Sequence, residues 1–158
     1  MKLNSRYISF SLCIVVMIII FKLSDQNGDI SYGLSNKVIY ALKKLHLNEY
    51  IPLIHSSISY TIRKIAHITL YSILGIIVSQ SVIAYTTHKK KDLNYVTIFI
   101  ISSIICFIYA CLDEFHQTFI AGRNGTFKDV GYDSIGYVVA ILIVILINKA
   151  TTKNISKS

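Results

Sequence analysis

The stretch Ile98–Arg123 reads "IFIISSIICFIYACLDEFHQTFIAGR". Its first part is almost wholly apolar. Then Asp113 and Glu114 arrive side by side, with His116, Gln117 and Arg123 close behind. Ionised groups at the end of so apolar a segment are costly unless they are paired or reach water, on the order of several kcal/mol each in hydrocarbon. If the apolar part is a membrane helix, its end either locks the fold or carries a polar task.

The rest of the chain favours the membrane. Of its 158 residues 53% are hydrophobic and only 15% are charged, against about 25% charged in ordinary globular domains. Mean hydropathy is +0.56. A single domain over residues 1–158 fits this length. A bilayer core about 30 Å thick takes roughly 20 helical residues to cross. Four segments answer to that: about 7–23, 65–85, 95–112 and 130–147. Only helices and closed barrels satisfy their own backbone in lipid. The expected fold is therefore an all-α membrane protein, a bundle of four transmembrane helices. The uninterrupted apolar part of the last, Ile135–Ile147, is short. To cross, that helix must start earlier, which draws Asp133 to the membrane edge. No A-x-A cleavage pattern follows the first segment, so it is expected to be retained.

Net charge is +8. The lysines flank apolar runs, so they report topology and nucleic acid is not an expected partner. Lys2, Arg6, Lys89, Lys90, Lys91, Lys149, Lys153 and Lys157 lie on one side in short, acid-poor segments. This density predicts cytoplasmic N- and C-termini. Between the first two spans, Leu34, Val38, Ala41, Leu42 and Leu45 recur at helical spacing with Lys37 and Lys44 beside them. That pattern predicts an amphipathic helix, lying either on the membrane interface or on the end of the bundle. Cys13, Cys106 and Cys111 all lie in apolar runs without a CxxC spacing, and read as small core residues.

Alternating topology brings three polar stripes to one end. Lys64, His67, Tyr71 and Gly75 share one face at the start of the second span. Asp113 and Gln117 are one turn apart at the end of the third, with Glu114 beside them. Asp129, Asp133 and Gly136 open the fourth. Arg63, Lys64, Arg123 and Lys128 balance Asp113, Glu114, Asp129 and Asp133 in formal charge. Such a balanced cluster suits either a structural lock or a binding pocket. "AGRNG" (Ala121–Gly125) reads as a turn whose glycines supply positive φ. Its Arg123 is placed either to grip a phosphate or carboxylate or to pair with Asp113 or Glu114. Gly136 with Ala140, and Gly75, predict close helix packing. His67, Asp113 and Glu114 are candidates for acid/base catalysis. With no HExxH-like signature, no metal or other cofactor is expected.

"RKIAHITLYSILG" and "DEFHQTFIAGRNGTFKDVGYDSIGYVVA" together resemble the VanZ-like family of membrane proteins. The resemblance rests on Lys64, His67, Tyr71, Leu74, Gly75, Asp113, Glu114, Gln117, Gly122, Arg123, Asp129, Asp133 and Gly136. "IIIFKLSDQNG" further resembles that family's first helix and its polar exit. A proline common before the family's Gly-Arg pair is Ala121 here. The resemblance implies a multi-pass protein of the bacterial plasma membrane, associated with teicoplanin resistance. On this reading Lys64, His67, Tyr71, Asp113, Glu114, Gln117, Arg123, Asp129 and Asp133 bind a ligand at the outer surface. The expected partner is a membrane lipid, a lipid-linked cell-wall intermediate or a lipoglycopeptide. Two alternatives stay open: an enzyme modifying an envelope lipid, and a structural or partner-binding membrane protein.

Overall fold

The structure, a computed structural model, describes residues 5–44, 55–88 and 94–155. They form five helices: α1 (Ser5–Ser24), α2 (Gly28–Lys44), α3 (His55–His88), α4 (Tyr95–Gln117) and α5 (Phe127–Ile155). Among the described residues there is no strand. Lys2, Leu45, Lys89, Lys90, Lys91 and Lys157, used above for topology and patterning, lie outside them.

Four helices are long and apolar enough to cross a membrane: Tyr7–Ser24, Tyr60–His88, Tyr95–Gln117 and Phe127–Thr152. The chain is a multi-pass membrane protein. Its outward faces are studded with large apolar side chains such as Ile14, Ile104 and Leu146. In water such coverage would far exceed the apolar patches a soluble monomer exposes, whereas lipid accepts it. The spans outrun the expected bounds, the first by a single residue, because polar residues at their ends continue the helical hydrogen bonding. The second begins earlier, at Tyr60. At about 1.5 Å per residue, the 34 residues of α3 reach about 51 Å, well beyond one bilayer core. The fourth begins at Phe127, which places Asp129 and Asp133 inside the helix as its short apolar run requires.

Local sequence sets the helix ends. Asn27 Oδ1 accepts the Ile30 amide at 2.9 Å and opens α2. Asn94 does the same for α4 through Val96 and Thr97. Thr126 Oγ1 takes the Asp129 amide at 3.3 Å and opens α5. In each case a side-chain oxygen satisfies an amide that has no partner within the helix.

The core is a strip along the bundle axis containing Tyr71, Leu74 and Val78 of α3, Ile98, Cys106 and Ala110 of α4, and Ile141 of α5. Helices α3 and α5 touch backbone to backbone. A Cβ at Gly75 would fall 2.8 Å from the Tyr137 carbonyl, and one at Gly136 would fall 2.3 Å from the Ile68 carbonyl. Both glycines therefore serve close packing, as their spacing predicts. Ser72 Oγ adds a bond to the Gly136 carbonyl at 3.1 Å, reinforcing that contact.

Helix α2 packs on α3. Its buried residues, Ser31, Ser35 and Ile39, recur every four positions. The predicted stripe points the other way, with Leu34, Val38 and Ala41 exposed. Of the two expected placements, the structure shows the contact with the bundle, made by the serine-bearing face and not by the apolar stripe.

Candidate functional site

The site is built where α1, α4 and α5 end or begin beside the N-terminal half of α3. The link from α4 to α5 folds back over the end of α4. Gly122 has φ +73°, the left-handed region that favours glycine. Gly125 is needed for a different reason: a Cβ there would lie 1.9 Å from the Glu114 carbonyl oxygen. Only Gly122 of the expected pair supplies a positive φ; Gly125 supplies close approach.

This turn is bound to the link between α1 and α2. The Gly28 amide donates to the Ala121 carbonyl at 2.9 Å. The two backbones approach so closely that a Cβ at Gly28 would sit 2.3 Å from the Gly122 oxygen. Arg123 completes the join. Its Nε donates to the Gln26 carbonyl at 2.9 Å, one terminal nitrogen to the Leu23 carbonyl at 3.0 Å, and the other to Gln117 Oε1 at 3.2 Å. Of the two roles open to it in the sequence, the ion pair with Asp113 or Glu114 is not made. Arg123 instead uses its planar fork on backbone oxygens that the end of α1 leaves without helical partners. Burial, with Arg63 nearby, pulls its guanidinium below the ordinary value.

Beneath the turn, Gln117 spreads its amide between the acids, donating to Asp113 Oδ2 at 3.3 Å and Glu114 Oε1 at 3.2 Å. Asp113 Oδ2 also accepts the Ser24 hydroxyl at 2.9 Å. Glu114 Oε2 accepts the Thr126 amide at 3.0 Å. Lys64 and Asp129 form an ion pair across α3 and α5. One turn deeper on both helices, His67 Nδ1 stands 3.5 Å from Asp133 Oδ1. That pair has the distance of an ion pair, yet neither oxygen of Asp133 receives a hydrogen bond. Asp113 Oδ1 and the Tyr71 hydroxyl are also buried without a hydrogen-bond partner.

A cleft of about 220 Å³ opens above these groups, lined by Tyr60, Arg63, Lys64, His67, Gln117, Gly122, Arg123, Asn124 and Asp129. All nine predicted site residues thus lie in its wall or just below it. Lys64, His67, Gln117, Arg123 and Asp129 line it. Asp113, Glu114, Asp133 and Tyr71 are buried on the same helices. The formal balance of the cluster hides a separation: Arg63, Lys64 and Arg123 stand at the cleft, while Asp113, Glu114 and Asp133 are packed deeper with His67 as the basic side chain at ion-pair distance. Ligand-type atoms of His67, Glu114 and Asp133 come within 4.8 Å of one another.

Sequence reasoning overlooked Ser24, Tyr60 and Asn124 as contributors. Ser24 closes the first apolar run, at the end that alternation assigns to this cluster, and that was the available signal. His116 turns away from the cleft; it stacks on Phe21 with ring centres 4.6 Å apart and reaches Asp25 at 3.1 Å.

A family model described as VanZ/LLP1 matches residues 9–148, most of the chain. No curated protein and no solved structure matches it.

Proposed function

The chain belongs to the VanZ/LLP1 family, and from that premise we propose that its polar cleft faces outward from a bacterial plasma membrane and binds the head of an envelope amphiphile. Binding a lipid-linked cell-wall intermediate or a lipoglycopeptide there lowers susceptibility to teicoplanin. The observation that carries this reading is the cleft itself, rimmed by Arg63, Lys64 and Arg123 at one end of four membrane spans. Cationic donors at a membrane edge suit the phosphate or carboxylate of an amphiphile whose tail stays in lipid. Lys/Arg density supports N- and C-termini in the cytoplasm, hence an outward cleft. Cysteine labelling tests that directly: Asn124→Cys should react from outside intact cells and Thr87→Cys should not.

Function is tested by Glu114→Gln and Arg63→Ala, expressed at the wild-type level in a complemented deletion strain. Both variants are expected to move the minimum inhibitory concentration of teicoplanin toward that of the deletion strain. Unchanged susceptibility would sink the reading. Arg123→Ala is a poorer probe, because its hydrogen bonds hold the site together. A second reading, an enzyme acting on a lipid-linked precursor with His67, Asp113 and Glu114 in acid/base roles, draws support from the unpartnered oxygens of Asp113 and Asp133. Turnover of a labelled precursor by the purified protein distinguishes it.

A further inference from the structure

We propose that His67, Glu114 and Asp133 hold a first-row transition-metal dication at the base of the cleft. The inference deepens the function proposed for this site and rests on it only for what the ion then binds.

The first observation is geometric. One ligand-type atom each from His67, Glu114 and Asp133 lies within 4.8 Å of the other two. Around a zinc-like ion with bonds of about 2.0–2.2 Å, neighbouring ligands stand roughly 3.4 Å apart. Closing the site thus asks for side-chain movements of about 1 Å, within the reach of a rotamer adjustment. The three ligands come from α3, α4 and α5, three separate elements of one packed bundle.

The second observation is independent of that distance. Asp133 is 1% exposed, and neither of its carboxylate oxygens receives a hydrogen bond. Asp113, 3% exposed, lies within electrostatic range of both His67 and Asp133. A buried carboxylate without donors is among the costliest groups a fold can carry. Among the described residues, Lys64 is occupied by Asp129, Arg123 by carbonyls and Gln117, and His67 alone reaches Asp133 at ion-pair distance. Among the described residues Asp133 thus has a single imidazole at ion-pair distance and no hydrogen bond, a place that a dication fills.

The ligand set selects the ion. An imidazole beside carboxylates, with no thiolate, suits zinc or manganese and is a poor match to calcium or magnesium, which take oxygen ligands. Three protein ligands leave further coordination positions open. His67 itself lines the cleft, so an anionic oxygen of a bound head group would reach the ion from that side. Gln117 and Thr126, which bond Glu114, hold one ligand in place.

The test uses the full chain in detergent, purified without a histidine tag, stripped with chelator and titrated with Zn²⁺, Mn²⁺ or Mg²⁺. Metal content after dialysis and thermal unfolding are the readouts. The expected result is one Zn²⁺ or Mn²⁺ per chain, with little binding of Mg²⁺ and a rise in Tm on adding the bound ion. Asp133→Asn and His67→Gln should each weaken binding by about tenfold or more, while Asp25→Asn should not. Asp133→Asn also removes the uncompensated charge, so its metal-free form should unfold no earlier than metal-free wild type, keeping that variant interpretable. Absence of bound ion from wild type, or equal binding by Asp133→Asn, overturns the site. Failure here is separable from failure of the binding function. A protein that binds no metal but loses teicoplanin protection in Glu114→Gln keeps the first proposal and loses this one.

Discussion

The two ends of the bundle differ in how far their polar groups reach. At the end distant from the cleft, hydroxyls bond back to their own helix: Ser79 to the Gly75 and Ile76 carbonyls, Ser81 to Ile77, Thr86 to Val82. Around them lies a cavity of about 440 Å³ lined mainly by apolar side chains, Phe10, Val78, Val82, Ile101 and Ile105 among them. At the cleft end, polar groups cross between elements: Ser24 to Asp113, Arg123 to Leu23 and Gln26, Lys64 to Asp129. A hydroxyl that satisfies itself within one helix tells its neighbours nothing about where to sit. A bond between helices fixes their relative position. At the cleft end, directed polar contacts between elements thus add to the apolar packing.

Substitutions can break that contrast, and the largest effect belongs to Arg123. Replacing it with Ala removes three hydrogen bonds from a charged donor and leaves the Leu23 and Gln26 carbonyls without them. Such bonds contribute about 1.5–3 kcal/mol each when buried. With half-exposure and non-additivity, the expected loss is about 3 kcal/mol in total, read from thermal unfolding in detergent. Lys at 123 cannot span three acceptors with one ammonium and should recover only part of that loss.

Next comes a contrast within α5. Gly136→Ala places a methyl 2.3 Å from the Ile68 carbonyl, so α3 and α5 must separate. A cost of about 1–3 kcal/mol is expected. Gly131→Ala meets nothing within 4 Å and should stabilise the helix by up to about 1 kcal/mol. Equal effects at the two positions would show that α3 and α5 do not touch where the structure places them.

The smallest pair addresses the comparison most directly. Ser24→Ala removes a hydroxyl from Asp113 and should cost about 1–2 kcal/mol. Ser79→Ala removes a hydroxyl that only doubles an intrahelical carbonyl, and should cost under about 0.5 kcal/mol. Comparable losses in unfolding free energy would erase the distinction between the ends.

Much of this arrangement was legible in the sequence, for identifiable reasons. Apolar runs near the length of a bilayer core specify spans, and alternation then sends "RKIAH", "DEFHQ" and "KDVGYD" to one end. Steps of three and four put Lys64, His67 and Tyr71 on one face because helical geometry leaves no choice. What the sequence concealed were contacts between elements that no spacing encodes. Formal charge balanced over the cluster, yet only packing could show that Asp113, Glu114 and Asp133 lie below the cations. Arg123 looked like a partner for acids because charge attracts attention; the carbonyls left bare at the end of α1 carry no letter in the sequence. The trio of His67, Glu114 and Asp133 matches no linear ligand motif, since it draws one residue from each of three helices. Helix α2 was found by its apolar stripe, while Ser31 and Ser35, which face α3, gave no hydropathy signal.

Helix α2 gives the bundle a float. Ile30, Leu34 and Val38 are exposed along its outer side, and its first residue is bonded to Ala121 beside the arginine turn. If the exposed side of α2 rests on lipid, a shift of the bilayer surface is carried to that turn through the Gly28–Ala121 bond. The cleft proposed to receive a head group would then take its height partly from the lipid around the protein.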